Sequence, residues 1–358
     1  MKEKLTFLVD WGKDKERAWS GTNWSIFKAL SCHYDVKDVD LKMPFLVKAM
    51  RKVLHLNPHI FSFYYAKLLR LRVRKYKGKV FQFTNLRSDD AETKTFVYQD
   101  LSWSYVKYMQ ESLPEVFAVS GFGATPRDIA EKQTALQNEY YKKCAAIFVM
   151  GHWMKNFLCA NGIPGEKVFI TVGGGINCNI SAIHPANKTN TKILFIGRDF
   201  KRKGGHITYA AFKLLRERGE NVELYVAGPK SDPIEHSVDG YHFFGDIPYS
   251  RCAELYNICD IFCMPSYFEA YGLVFVEALV FGLPCIGRNC CEMPYFIEDG
   301  KSGYLLEKDT TEELADKMLR LLRNEEIKQY VLSRREQYTK EYSWESVAER
   351  MKAVIDSV

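Results

Sequence analysis

Apolar and polar positions alternate along this chain in short blocks whose period switches between two and about 3.6 residues. Runs of β-branched and aromatic residues at 5–9, 80–83, 95–98 and 146–150 predict buried strands in the first half. Helical-period segments fall between them, at 21–30 behind a turn at Gly21, at 133–143 and at 154–159. The stretch 101–127 is interrupted by Pro114, Gly121, Gly123 and Pro126 and predicts irregular structure. Gly173-Gly174-Gly175 then lead into the polar segment 184–191, a linker by composition. A fresh alternation follows, with strands at 192–197, 222–226, 241–244, 260–264 and 284–286 and helices at 205–218 and 273–281. Two helices at 311–323 and 325–340 come next, and a last one begins at Trp344 with Ser343 placed as its N-cap. Strands alternating with helices are the signature of parallel α/β layers. The pattern predicts two doubly wound domains, residues 1–185 and 190–342. Ligands of such sheets bind beyond the carboxyl ends of the strands, so two of them facing each other would form a cleft.

The length of 358 residues, about twice the common domain size, agrees with two domains. A content of 47% apolar, 26% charged and 14% aromatic residues excludes a disordered chain. No run of about 18 apolar residues occurs, which argues against a membrane-spanning helix. The first ten residues hold an apolar stretch of only four and no cleavage site, and read as a first strand, not a signal peptide. Ten cysteines are scattered without a C-x-x-C pair, which suits reduced thiols in a cytoplasmic protein better than a disulfide framework. Neither cysteine nor histidine spacing suggests a metal site. Gly173–Gly175 lacks the following G-K-[ST] of a phosphate loop.

Charge is unevenly spread. Residues 1–190 carry 28 Lys and Arg against 17 Asp and Glu, or +11, while residues 191–358 carry 22 against 27, or −5. Between 41 and 80 there are 11 basic residues and no acidic one, interleaved with aromatics around Phe61, Tyr64 and Tyr65. Three readings fit: a solvated helix face, an anionic membrane surface, or nucleic acid. No recognised nucleic-acid module accompanies the segment, and the aromatic interleaving favours the membrane surface.

Two stretches carry candidate chemistry. Ile196-Gly-Arg-Asp-Phe-Lys-Arg-Lys-Gly-Gly205 reads as a strand, a basic loop and a helix start. Helix N-terminal amides with Arg198 and Lys203 would suit a diphosphate, the arginine as a fork and the lysine as a point charge; a solvated basic loop is the alternative. In Pro265-Ser-Tyr-Phe-Glu-Ala-Tyr-Gly-Leu-Val-Phe-Val-Glu-Ala-Leu279, Glu269 and Glu277 are separated by seven residues and Gly272 stands at a helix start. Glu277 lies in an otherwise apolar helix, where a carboxylate needs hydrogen-bond donors. Sugar or ribose hydroxyls would serve; so would the backbone.

Together these stretches resemble the family 4 glycosyltransferases of the GT-B fold, most strongly across residues 192–306 and including Glu292-Met-Pro-Tyr-Phe-Ile-Glu-Asp-Gly. The resemblance implies two Rossmann-like domains facing across a cleft: residues 1–185 for the acceptor, with the C-terminal helix 343–358 packing back on them, and 190–342 for the nucleotide sugar. It implies a retaining, metal-independent, hexosyltransferase-type enzyme without a cofactor, the nucleotide-diphosphate sugar being a co-substrate. Arg198 and Lys203 would hold the diphosphate, and Glu269, first of the E-x7-E pair, would lie near the transferred sugar. Glu277 would bind ribose, the amides at Gly272 and Leu273 would contact sugar or phosphate, and Asp246 would lie beside the base. In the first half, Gly21 takes the place of a glycine loop that is usually a double glycine. Gln99-Asp100 stands where many members carry His-Asp, and glutamine is neither a base nor a cation. Retention survives that change if the leaving phosphate itself deprotonates the acceptor. The expected acceptor is a glycan or lipid-linked intermediate, with the protein cytoplasmic or peripheral on the inner membrane face, and with no nucleic-acid partner. Rival readings are nucleotide-sugar epimerisation, glycan phosphorolysis, or a catalytically silent sugar-nucleotide or membrane-binding protein. Donor base, sugar, linkage and oligomeric state leave no mark in the sequence.

Overall fold

The computed structural model describes residues 2–173, 175–184 and 189–358. The chain divides into two compact units, one of residues 1–175 with 344–358 and the other of residues 176–343. The first runs through β1 (Lys4–Val9), α1 (Thr22–Ser31), β2 (Asp35–Asp40), α2 (Phe45–Val53), α3 (Pro58–Val73), β3 (Gly78–Gln82), β4 (Thr93–Gln99), α4 (Trp103–Ser112), α5 (Pro114–Val119), α6 (Arg127–Lys143), β5 (Ala146–Val149), α7 (His152–Ala160) and β6 (Val168–Ile170). Its six strands are parallel in the order β2-β1-β3-β4-β5-β6. The interior is aromatic: Phe7 stacks on Phe81 at 5.3 Å and Phe81 on Phe148 at 6.1 Å, all three buried. β2, Asp-Val-Lys-Asp-Val-Asp, escaped the strand pattern because it is mostly charged; at the sheet edge those charges discourage pairing with another chain.

The stretch 101–127, expected to be irregular, holds two helices. The Ser102 hydroxyl caps α4 by accepting the Tyr105 amide, and Pro114 sits at the first turn of α5, where its missing N–H costs nothing.

The second unit continues with β7 (Lys192–Ile196), α8 (Gly205–Glu217), β8 (Glu223–Ala227), β9 (Tyr241–Gly245), α9 (Tyr249–Ile258), β10 (Ile261–Cys263), α10 (Leu273–Val280), β11 (Cys285–Arg288), α11 (Met293–Phe296), β12 (Gly303–Leu306), α12 (Thr311–Arg323), α13 (Glu325–Ser333) and α14 (Arg335–Glu341). Its sheet is again parallel, ordered β12-β11-β10-β7-β8-β9. The central strands β7 and β10 are continuous apolar runs, as strands covered on both faces must be. The order reverses between β7 and β10, so their carboxyl ends open a crevice where ligands of such sheets bind. The single helix expected over 325–340 is broken at Arg334. Helix α15 (Trp344–Asp356) belongs to the first unit, where Arg350 Nε donates to the Thr171 carbonyl at 2.6 Å and the Tyr34 hydroxyl to Asp356 at 2.5 Å.

The division falls at Gly175, ahead of the expected boundary at 185. Residues 177–184 are held by the second unit: Glu277 accepts the Asn177 and Cys178 amides, and Asn257 bridges the Ala182 carbonyl and the His184 amide. Gly174 and the central residues of the expected linker, 185–188, lie outside the described residues.

Candidate functional site

The chain leaves β7 through Gly197, crosses residues 198–204 and enters α8; it leaves β10 through Met264 and crosses 265–272 into α10. The two loops are laced together. The Tyr267 amide donates to the Arg202 carbonyl at 2.9 Å, and Arg202 Nη1 donates to the Phe268 carbonyl. Gly204, at the N-cap of α8, has φ +75° and lies so close to Pro265 that an added Cβ would stand 2.3 Å from its carbonyl oxygen. Only glycine meets both conditions.

At this junction Lys203 Nζ meets Glu269 Oε2 at 2.8 Å, with both side chains largely buried, and Arg202 Nη1 stands 3.9 Å from the same oxygen. Asp199 holds Arg202 from the other side, through Nε at 3.1 Å and the backbone amide at 3.2 Å. Gly272, at φ +105°, turns the chain into α10, and a Cβ there would reach 3.1 Å from Glu269 Cγ. Neither α8 nor α10 has a side-chain cap; the Gly205 amide donates to the Phe200 carbonyl at 2.7 Å and the Phe275 amide to the Gly272 carbonyl at 2.9 Å, which leaves the amides of His206, Ile207, Leu273 and Val274 as the first-turn donors for an anion beside Lys203 and Arg202. Arg202 was not singled out in the sequence; the Lys-Arg-Lys run was the signal for it.

Arg198 is 71% exposed and its Nε lies 3.5 Å from Asp246 Oδ1, so these two residues meet each other at the rim. Glu277 is only 3% exposed. Its Oε1 accepts the amides of Asn177 at 3.1 Å and Cys178 at 3.3 Å, and its Oε2 accepts the Tyr256 hydroxyl at 3.2 Å. Burial raises the Glu277 carboxyl above the usual range, opposed by these donors, and the same burial with the nearby carboxylate pushes the Cys178 thiol up. Of the two ways to satisfy Glu277, the structure displays the backbone-bonded one. Leu273 opens α10 between the two glutamates.

The remaining sequence candidates belong to the first unit. Gly21 precedes α1 in a turn where Trp19 and Ser20 also have positive φ, 47° and 57°. Two non-glycine residues in that region mark strain. Gln99 ends β4 and is 7% exposed. Its Oε1 accepts from Gln137 Nε2 at 3.1 Å and from the Tyr141 hydroxyl, two partners no local pattern flagged. Both acceptor sites of Gln99 are thereby used, leaving its amide N–H groups as the donors. Asp100 follows it and adds negative charge beside the buried hydroxyls of Tyr98 and Tyr141. Among the described residues no three His, Cys, Asp or Glu side chains are grouped to hold a metal ion, and no helix is long and apolar enough to cross a membrane.

The family model for glycosyl transferases group 1 matches residues 178–355. A phosphatidyl-myo-inositol mannosyltransferase from Mycobacterium leprae is 27% identical over 173 residues, covering 46% of each chain. The chain therefore spans about half the length of the curated relatives it matches. Among solved structures, sucrose-phosphate synthase from Thermosynechococcus elongatus aligns over 99% of both chains with TM-score 0.72 at 16% identity. Anabaena HepE, solved in complex with UDP and glucose, aligns over 99% of this chain and 100% of its own, with TM-score 0.66 at 13% identity.

Proposed function

Given that this chain belongs to the group 1 glycosyltransferases of the GT-B fold, we propose that it moves a hexosyl group from a nucleotide-diphosphate sugar to a hydroxyl acceptor with retention of configuration. The observation that carries this reading is the Lys203–Glu269 pair, with Arg202 beside it, between two uncapped helix starts at the crevice of the second sheet. A departing diphosphate needs positive charge fixed in place before the bond breaks. Lys203 and the amides at Gly272 and Leu273 supply it, and Arg198 adds a fork from the rim once released from Asp246, which then faces the base. Glu269 orients Lys203 and lies beside the transferred sugar. Glu277 binds ribose by exchanging one of its present donors, such as the Tyr256 hydroxyl, for a ribose hydroxyl.

In the transfer, the bond from the anomeric carbon to the β-phosphate oxygen breaks and the bond to the acceptor oxygen forms on the same face. The acceptor proton passes to the leaving phosphate oxygen, so neither a side-chain base nor a metal ion is called for. Gln99, Asp100 and Gly21 are assigned to acceptor selection in the first unit, Gln99 through its amide N–H groups. The acceptor class that suits the basic first unit is an anionic or lipid-linked glycan of a cell envelope, met at a membrane surface by a peripheral, cytoplasmic protein. The mannosyltransferase relative, whose name specifies a phosphatidylinositol acceptor, supports that class.

The test is incubation with UDP-, GDP- and ADP-sugars, with and without lipid acceptors, reading nucleotide release. Release is expected with one donor class, and Lys203→Ala is expected to lower kcat/KM by roughly 100- to 1,000-fold. Tight donor binding with no release from the intact protein would overturn the enzyme reading in favour of a silent binding module.

A further inference from the structure

A helix on a protein surface normally turns its apolar stripe inward and its charges to water. Helix α2, Phe-Leu-Val-Lys-Ala-Met-Arg-Lys-Val, does the opposite. At about 100° per residue its six apolar side chains fill one side and Lys48, Arg51 and Lys52 the other. No residue of α2 is buried, and the apolar side faces out: Phe45 is 81%, Leu46 78% and Val53 75% exposed. Lys48 and Arg51, on the charged side, are half-covered together with the smaller Val47 and Ala49, while Lys52 is exposed.

Helix α3 repeats the anomaly. One stripe of it, Ala66, Leu69 and Val73, packs on the core cluster of Leu8, Val39, Leu41 and Val80. A second stripe at helical spacing, Ile60, Tyr64, Leu68 and Leu71, is left exposed. A helix apolar on two sides is normally buried on both. Several cations of this region are also unpaired, although Lys77 and Lys79 meet acidic residues outside it. Among the described residues Lys48, Arg51, Lys52, Arg74 and Lys75 form no ion pair, and residues 41–80 contain no Asp or Glu.

We infer that α2 and the outer stripe of α3 form a docking face for an anionic lipid bilayer, with Phe45, Leu46 and Val53 entering the boundary between headgroups and acyl chains while Lys48, Arg51 and Lys52 engage lipid phosphates. This deepens the proposed function by naming the surface at which the acceptor is met. The charge pattern selects this occupant. A second copy of the chain would set the unpaired cations Lys48, Arg51, Lys52, Arg74 and Lys75 against the same five, a repulsion that a symmetric interface does not relieve. Protein surfaces that mix both charge signs offer less complementarity than a leaflet of phosphatidylglycerol. Apolar insertion supplies what lipid phosphates alone do not, and neither component needs a spanning helix.

The test uses the full chain in co-sedimentation with vesicles of phosphatidylcholine, with and without phosphatidylglycerol, at low and high salt. Three proteins are compared: the wild type, a K48Q/R51Q/K52Q variant and an F45S/L46S/V53S variant. All substituted side chains are exposed or half-covered, and circular dichroism checks that folding is kept. The wild type is expected to bind the anionic vesicles and to release as salt rises. Removing three cations should weaken the partition constant roughly a hundred-fold, and removing the apolar side about ten-fold or more. Binding equal on neutral and anionic vesicles and indifferent to salt would overturn the inference. So would an apolar-side variant that binds like the wild type, or a wild-type dimer in sedimentation velocity that the F45S/L46S/V53S variant abolishes. Nucleotide release in vesicle-free buffer is read on the same proteins and is expected to be unchanged by either variant. Its absence from the wild type would count against the proposed activity, while the vesicle result would still stand or fall alone.

Discussion

Where the second sheet reverses its order, between β7 and β10, the chain places a lysine and an arginine within 4 Å of one carboxylate oxygen, beside two helix starts without side-chain caps. Where the first sheet reverses, between β1 and β3, it places rings: Phe7 lies 5.3 Å from Phe83 and 6.1 Å from Trp11, and Trp19 caps Phe83 and Tyr98 edge-on. The same topology thus presents fixed charge in one unit and aromatic walls with a locked amide in the other. Fixed charge grips a diphosphate whatever the group attached to it, while rings and amides discriminate by shape and by hydrogen-bond direction. On the proposed reading this divides the work, donor activation in the second unit and acceptor choice in the first.

The most severe way to break the charged site without touching a charge is Gly204→Ala. The residue has φ +75° and its new methyl would stand 2.3 Å from the Pro265 carbonyl oxygen, so backbone strain and collision add. A loss of about 3 kcal/mol in denaturant unfolding is expected, with nucleotide release abolished because the two loops no longer lace. An unfolding midpoint equal to the wild type's would show that the loops are not held as described. In the first unit the matching probe is Gln99→Ala. It leaves the buried Tyr141 hydroxyl and Gln137 amide without their shared acceptor, at a cost of roughly 2 kcal/mol. Donor affinity, measured by calorimetry, should not move; a clear drop would blur the division between units.

How far this was legible in advance depended on whether the signal was local. β7 after Lys192 and β10 are apolar runs, and the glycines and charged residues that follow them mark strand ends, so the crevice and its Lys203 and Glu269 could be placed from the chain alone. The helices at 103–119 were hidden because Pro114 reads as a breaker unless its position in the first turn is known. β2 was hidden because edge strands carry charge where central ones carry valine. The partners of Gln99 and the backbone partners of Glu277 were beyond reach: they sit 38 to 42 and about 100 residues away, and nothing in their own neighbourhoods announces a hydrogen bond.

Glu277 allows the smallest and most specific test, because it stands on the same loop and helix as Glu269 yet is satisfied by amides and a phenol where Glu269 is satisfied by cations. Burial raises its carboxyl in the folded protein, so the folded state binds more protons than the unfolded state once pH exceeds the ordinary glutamate range. Stability drawn from this group is therefore greatest in acid and declines as pH rises toward the raised value, beyond which the loss is complete. Glu277→Gln has nothing to titrate there and keeps one carbonyl oxygen for the Asn177 and Cys178 amides. Relative to the wild type it should gain in unfolding midpoint as pH rises from about 4.5, the gain levelling off at higher pH. Parallel midpoints for the two proteins across that range would mean that the hydrogen bonds from Asn177, Cys178 and Tyr256 fully offset the desolvation. In that case the contrast between Glu277 and Glu269 would be one of partners only.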